Sequence, residues 1–332
     1  MEKEKLLLLK EFLKKEVSLS FLKRKFKLSE LEIMGLISQL KQNGSNILSI
    51  KKNGQIYIID YGDNSLENDD AYYIELKGTE LNFAVISDTR LCSKYQQLSI
   101  LNDIYEKAYG MDVSYVLHCG DISEGVYKGK KVIFNETLFL HGVSEQADYI
   151  VDNYPIVNNM KTLFITGEHD LSHLTSENVD IGKIISHQRP DLEYLGKRRK
   201  RIIIKNQKNK EILNILMIHP EGKIPYTISY KPQRYISAMR SEDKTDILLH
   251  GHWLQTERML FRGITEYSIP SVVSTTPEME ISGDQNTLGA WILKFYFDKE
   301  GKFINSTPIF IPYYKTIEND YKKCKSLKIG GK

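Results

Sequence analysis

Two periodicities divide the chain. Leu7, Leu8, Phe12 and Leu13 recur at helical spacing in a Lys/Glu-rich background, Phe21, Leu22 and Phe26 follow, and Leu31, Ile33, Met34, Leu36, Ile37 and Leu40 form the apolar side of a third segment. Ser18 or Ser20 can cap the second helix, and Ser29 with Glu32 three residues on makes a capping box for the third. Two apolar runs, residues 47–50 and 55–59, then flank Asn53-Gly54, a strong hairpin signal. Three helices and a hairpin over residues 1–60 are the order of a winged helix-turn-helix. The polar, acidic stretch after it marks a linker, assigned to residues 61–79.

From residue 81 the apolar positions come in short strand-like runs. Residues 81–86 end in Ser87-Asp88, 114–117 in His118-Cys119-Gly120-Asp121, 162–165 in Gly167-Glu168-His169-Asp170, 212–218 in His219, and 247–249 in His250-Gly251-His252. Helix-like segments at 94–109, 135–153 and 230–241 alternate with them, predicting an α/β layered fold. Ligands in such folds sit beyond the carboxyl ends of strands, so Asp88, Asp121, Glu168, His219 and His252 are expected along one edge. Mixed oxygen and nitrogen donors of this kind suit manganese first, with iron, zinc or magnesium as alternatives. His118 and His250 are expected to face away from that edge.

Composition narrows the class. Hydrophobic residues at 41% and charged residues at 27% describe a globular chain, and no stretch approaches the ~20 apolar residues of a membrane span. Three cysteines without a CxxC spacing fit a reducing, cytoplasmic setting. The net charge of +3 excludes a polybasic coating protein, but it is unevenly spread. Residues 1–60 hold +5, residues 197–210 hold +8 and residues 315–332 hold +4, which leaves an acidic body carrying Asp88, Asp121 and Glu168. Lys23, Arg24, Lys25 and Lys27 around the second helix, and Lys51 and Lys52 beside the hairpin, can meet phosphates, with protein docking or dimerisation as the alternative. Arg198, Arg199, Lys200 and Arg201 belong to a hairpin whose basic ends are expected to face solvent and a nucleic-acid backbone. Tyr95, Tyr226 and Tyr230 could stack on unpaired bases, and His141 and His173 are candidates for substrate contact. Residues 315–332 read as a mobile tail.

The order of the strand-end motifs resembles the calcineurin-like metallophosphoesterases: Asp88-Thr89-Arg90, Gly120-Asp121, Gly167-Glu168-His169-Asp170, His219 and Gly251-His252-Trp253-Leu254. The appended N-terminal unit makes the DNA-repair exonuclease and polymerase small-subunit branch the most similar. The resemblance implies a four-layer α/β/β/α sandwich over residues 80–314 and two-metal hydrolysis of a phosphodiester. It implies that Asp121 bridges two ions, Asp88 serves the first, and Glu168, His219 and His252 serve the second. His169 would stand near the scissile phosphate as acid, with Asp170 orienting it. Two departures fall on the first metal position: Arg90 and Leu254 stand where the family has histidines, and Arg cannot ligate metal. Glu168 replaces an Asn. One or two ions are therefore expected, with Arg90 as a phosphate clamp. The resemblance implies a nuclease on single- or double-stranded DNA, or else an impaired scaffold or DNA-binding subunit. Expected partners are DNA, a second copy or a replication or repair protein, and no membrane.

Overall fold

The computed structural model describes residues 2–52, 54–63 and 71–330. The N-terminal unit runs α1 (Glu2–Leu13), β1 (Val17–Ser18), α2 (Leu19–Phe26), α3 (Glu30–Gln42), β2 (Ser45–Lys52) and β3 (Gln55–Asp63). Ser18 Oγ accepts from the Phe21 amide at the start of α2, and Ser29 and Glu32 form the capping box at the start of α3. The hairpin forms with Lys52 opposite Gln55; Asn53 lies outside the described residues. Leu9, Leu13, Leu22, Ile33, Ile37, Ile47 and Ile58 close a separate small core.

The main body begins with β4 (Tyr72–Glu75), β5 (Glu80–Ile86), α4 (Leu98–Gly110) and β6 (Tyr115–His118), followed by a 3₁₀ segment (Gly129–Thr137). Next come α5 (Val143–Asn153), β7 (Ile156–Val157), β8 (Lys161–Thr166), α6 (Glu168–Glu177), α7 (Ile181–Gln188), β9 (Leu192–Lys197), β10 (Arg199–Lys205) and β11 (Glu211–Ile218). The chain ends with α8 (Tyr230–Ala238), β12 (Ile247–His250), β13 (Glu257–Phe261), β14 (Ile264–Ser268), α9 (Pro277–Ser282), β15 (Leu288–Phe297), β16 (Phe303–Tyr313), α10 (Asp320–Lys323) and β17 (Lys328–Ile329).

Among the described residues, two six-stranded sheets, ordered β13-β14-β12-β11-β10-β4 and β16-β15-β5-β6-β8-β9, pack face to face. Strand alternation assigns the layers. Phe83, Val85, Leu117 and Leu163 point inward to meet Ile202, Ile204, Ile215, Met217 and Leu249. Ala84, Ile86, Val116 and Phe164 point outward against Ile104, Ile150 and Ile185 of α4, α5 and α7. On the far face Leu216, Ile218 and Leu248 cover Ile236 of α8. The α/β/β/α order follows, with each fully buried aliphatic side chain contributing about 1.5–3 kcal/mol.

Three expectations require correction. The linker is shorter than residues 61–79, because β3 runs to Asp63 and β4 pairs in parallel with β10. Residues 315–332 are not a loose tail over their described part. The Asp320 carboxylate caps α4 through the Ser99 amide and hydroxyl, Gln97 holds the Ile317 amide and carbonyl, and β17 pairs with β7. The basic run 197–201 is half-buried rather than projecting, because it forms the end of β9 and the start of β10; the exposed tip is the 207–210 turn.

The N-terminal unit is seated on α6 and α7. Asn46 is fully buried and exchanges two hydrogen bonds with Asp180, its Nδ2 donating to the carbonyl (3.2 Å) and its Oδ1 accepting from the amide (2.6 Å). Asn178 Nδ2 donates to the Lys41 carbonyl, Lys41 Nζ donates to the Glu177 carbonyl, and Leu48 and Ile59 join the outer core of the main body.

Candidate metal centre

Strands β5, β6 and β8, and strands β11 and β12, run parallel, so their carboxyl ends bring the motif residues to one edge. The backbone there is unusual. Asp88, Arg90, Asp121, His252 and Leu254 all adopt positive φ, between 43° and 77°. Such conformations cost about 1–3 kcal/mol each in a non-glycine residue, and they cluster where side chains must converge. Gly167 is required by crowding, since a Cβ would overlap the Asp121 carboxylate and the His219 ring.

Asp121, Glu168, His219 and His252 each offer one donor atom, all within 4.8 Å of one another. His219 Nδ1–H donates to the Cys119 carbonyl at 2.7 Å, which turns Nε2 toward Glu168 Oε2 (2.7 Å) and Asp121 Oδ2 (3.3 Å). His252 Nε2–H donates to the Gly222 carbonyl at 2.7 Å, and its Nδ1 lies 2.6 Å from Glu168 Oε1 without making a hydrogen bond. A carbonyl can only accept, so in each neutral ring the nitrogen facing the carboxylates carries a lone pair. Lone pairs of two imidazoles and two carboxylates aimed at one point make a pocket that a cation would fill. Asp121 Oδ2 is also buried without a hydrogen-bond partner. The donor set fits a divalent ion. Without one, the groups must share protons. Burial raises the Glu168 pKa, but His219 and His252 outweigh it and hold it well below the carboxylate range. Burial lowers His219, but Asp121 and Glu168 outweigh it and push it well above its usual value.

The other half of the edge is built differently. Arg90, 5% exposed, places Nε 3.6 Å from Asp88 Oδ1 and Nη2 4.0 Å from Asp121 Oδ2. Burial opposes its charge, but Glu124, Asp88 and Asp121 outweigh it and raise its pKa. Asp88 Oδ2 is held by the Ser87 hydroxyl (2.7 Å) and the His252 amide (3.1 Å), while Oδ1 has no hydrogen bond. Leu254 packs with Val273, Met279 and Tyr95. This part of the edge is thus filled by an apolar plug that offers no donor, and Tyr95 is committed to that packing.

His169 and Asp170 lie in the first turn of α6. The His169 amide donates to Asp121 Oδ1 (2.9 Å), setting a carboxylate on a helix N-terminus. Its ring is oriented by the Glu124 carbonyl, which accepts from Nδ1–H at 2.9 Å, and by the edge of Tyr127. This corrects the role expected for Asp170. Its carboxylate takes the amides of Ile122, Ser123 and Gly167 and the Ser123 hydroxyl, fastening two motif loops together. Burial and then Asp121 push Asp170 up to about 7, against those hydrogen bonds. For His169, burial and Arg90 work against the charged form, yet Asp121, Glu124 and Glu168 prevail and raise its pKa.

No family model and no curated protein sequence matches the chain. Solved structures of similar fold include phosphoesterases, Vps29 proteins and the anchor protein GAP50 of Plasmodium. They include an archaeal phosphodiesterase (15% identity, 70% of this chain and 100% of that one, TM-score 0.35). A predicted phosphoesterase from Streptococcus pneumoniae (13%, 70% and 99%, 0.32) and a putative 5′-nucleotidase from Staphylococcus aureus (11%, 74% and 57%, 0.43) are also similar. The chemistry below rests on the site's own residues.

The remaining candidates are scattered. His118 bonds Thr89, and His250 bonds Glu266 and Ser268; both are buried away from the centre. His173 is buried against Gln146 and cannot reach substrate, while His141 is exposed. Arg198 sits beside the centre, its carbonyl accepting from the His219 amide and its amide donating to Thr166, and its side chain pairs with Glu221. Arg201 is spent on the Asp243 and Lys244 carbonyls. Lys23, Arg24, Lys25, Lys27, Lys51 and Lys52 are exposed; Lys23 pairs with Glu30, Lys52 with Glu16, and Lys25 lies over Phe12. Sequence reasoning missed Glu124, a buried carboxylate three residues after Asp121 whose partner is Tyr127, and the Gly222 carbonyl that sets His252. The place of Glu124 three residues after Asp121, beyond the end of the same apolar run, is the usable signal for it; nothing local marks Gly222. Among the described residues no helix is long and apolar enough to cross a membrane.

Proposed function

We propose that the chain is a metal-dependent phosphodiester hydrolase acting on DNA, with one divalent ion, manganese first among the candidates, and one built-in cation, Arg90. The observation that carries this reading is the asymmetry of the edge: four convergent donors on one side, and a buried guanidinium between Asp88 and Asp121 on the other. Asp121, Glu168, His219 and His252 would hold the ion, which when bound supplies Lewis acidity and a more acidic water. Arg90 lies on the Asp121 side of that point, lines the cleft and remains charged, so its fork can bind phosphoryl oxygens. His169 also lines the cleft, and with Nδ1–H committed to the Glu124 carbonyl it can offer Nε2 to the leaving oxygen, the neighbouring carboxylates favouring its acid form. Asp170 keeps the Asp121 and Glu168 loops in register.

The N-terminal unit, read as a winged helix, would hold DNA through exposed Arg24, Lys27 and Lys51. The Leu254 plug favours a second reading, a scaffold or DNA-binding subunit in which the centre is structural. Hydrolysis of bis(p-nitrophenyl) phosphate and of DNA, measured after loading with manganese, separates the two. Turnover no higher than in an Asp121→Ala/His169→Ala control sinks the hydrolase. Arg24→Glu with Lys27→Glu tests the N-terminal role; unchanged DNA affinity and salt dependence would reject it.

A further inference from the structure

The cleft above the centre has a volume of about 580 Å³ and a floor of mixed charge, with Arg90, Lys131, His169 and Lys223 beside Glu168, Glu278 and Asp284. Exposed apolar side chains adjoin its lining segments along the chain and form candidate lips. Val132 and Ile133, 54% and 62% exposed, follow floor residue Lys131 in the 3₁₀ segment. Ile281, 75% exposed, precedes floor residue Ser282 on α9. Tyr226 is fully exposed two residues after Ile224, which also lines the cleft, and Tyr230 is 58% exposed at the start of α8. The lips are tied down. Lys131 pairs with Glu278 across the first two. The third is anchored where the Gly222 carbonyl accepts from His252 Nε2–H and Trp253 Nε1–H (3.2 Å), and where Lys231 Nζ donates to the Lys223 carbonyl. Lys223 itself lines the cleft with no carboxylate partner among the described residues.

We propose that this cleft takes single-stranded DNA and discriminates against duplex. The proposal rests on the phosphodiesterase reading for its chemistry, but not for its binding. A duplex presents phosphates outward and keeps its bases stacked on each other, so apolar lips would be dehydrated against charge. An unpaired strand exposes flat apolar base faces beside each phosphate, which suits a charged floor between apolar lips. Lys223 takes a backbone phosphate next to the one over the centre. Tyr226 and Tyr230 stack on unpaired bases, and Val132, Ile133 and Ile281 cover the opposite side. The same imidazole that faces the metal position also fixes the loop carrying Lys223 and Tyr226, so the substrate arm is set from the centre itself.

The test is fluorescence anisotropy of the full chain carrying Arg24→Glu, Lys27→Glu and Lys51→Glu, which removes the DNA contacts of the N-terminal unit, with an oligothymidylate, its duplex with oligodeoxyadenylate, and an abasic strand of equal length. Co-sedimentation with phosphatidylcholine–phosphatidylserine vesicles runs alongside. The single strand is expected to bind about tenfold more tightly than the abasic strand or the duplex. Tyr226→Ala with Tyr230→Ala should lower oligothymidylate affinity about tenfold and leave the abasic strand unchanged. Lys223→Ala should flatten the salt dependence by about 0.7 of a logarithmic unit per unit. Duplex bound as tightly as single strand, or a double tyrosine variant equal to the parent, overturns the proposal. Vesicle binding without strand preference also overturns it and gives the lips to lipid. Failure to hydrolyse bis(p-nitrophenyl) phosphate removes the catalytic reading alone, because binding is measured without turnover.

Discussion

The two halves of the strand-end edge solve the same electrostatic problem in opposite ways. Both begin from buried carboxylates that cannot stay ionised alone. On the Glu168 side, imidazoles are turned by carbonyl acceptors so that lone pairs converge, an arrangement completed by a cation from solution. On the Asp88 side, the chain supplies the cation itself as Arg90, and Leu254 offers no donor that would compete with it. An ion can be exchanged, removed and counted; a guanidinium cannot. The half able to hold an ion is thus a reagent-binding site, and the half holding Arg90 is a fixed part of the wall.

That contrast can be broken most severely at His219. His219→Ala should bring retained metal to background after dialysis and reduce turnover by at least about 10³-fold, several kcal/mol of lost Lewis-acid stabilisation. Metal content read by mass spectrometry and equal to that of the parent would refute the ligand assignment. Arg90→Met should behave in the opposite manner. Metal content stays the same, turnover falls about 10²–10³-fold, and the fold loses about 3–5 kcal/mol because Asp88 is left buried without its counter-charge. A variant that loses metal instead would show that the two halves are not separate.

His169→Ala sharpens the division of labour within the centre. Turnover of a DNA phosphodiester should fall about 10²–10⁴-fold, while bis(p-nitrophenyl) phosphate, whose leaving group needs little protonation, loses much less. Equal losses on both substrates would remove the acid role. Arg90→His with Leu254→His is the constructive counterpart, expected to raise bound metal from one ion to two. A constant count would mean that the first position lacks more than ligands. The smallest functional effect belongs to Leu254→Ala, which should cost about 2–5 kcal/mol in denaturant unfolding with metal content and turnover preserved.

The ligand-bearing half was legible because each donor sits at the end of an apolar run, and the glycines at 120, 167 and 251 mark backbone that must pass close by. The layer order followed from the same runs, since alternate residues of 81–86 serve two different cores. What stayed hidden was every pairing set by tertiary approach. Asp170 looks like a partner for its neighbour His169, yet the turn into α6 aims its carboxylate at the amides of 122, 123 and 167. Asp320 lies in a lysine-rich stretch that reads as solvated, and only the start of α4 gives it a function. Asn46 resembles any turn asparagine until Asp180 is opposite it. The lips of the cleft come from segments about fifty to ninety residues apart, and no local pattern joins them.

Helix α6 begins at Glu168 in the centre and ends at Glu177, where Lys41 and Asn178 fasten the N-terminal unit. Its ten residues span about 15 Å. With Asn46 locked on Asp180, that length works as a gauge block: whatever the N-terminal helices grip is presented to the cleft at a set offset. Lengthening α6 by one turn would move the point of attack by about 5 Å and leave both ends chemically unaltered.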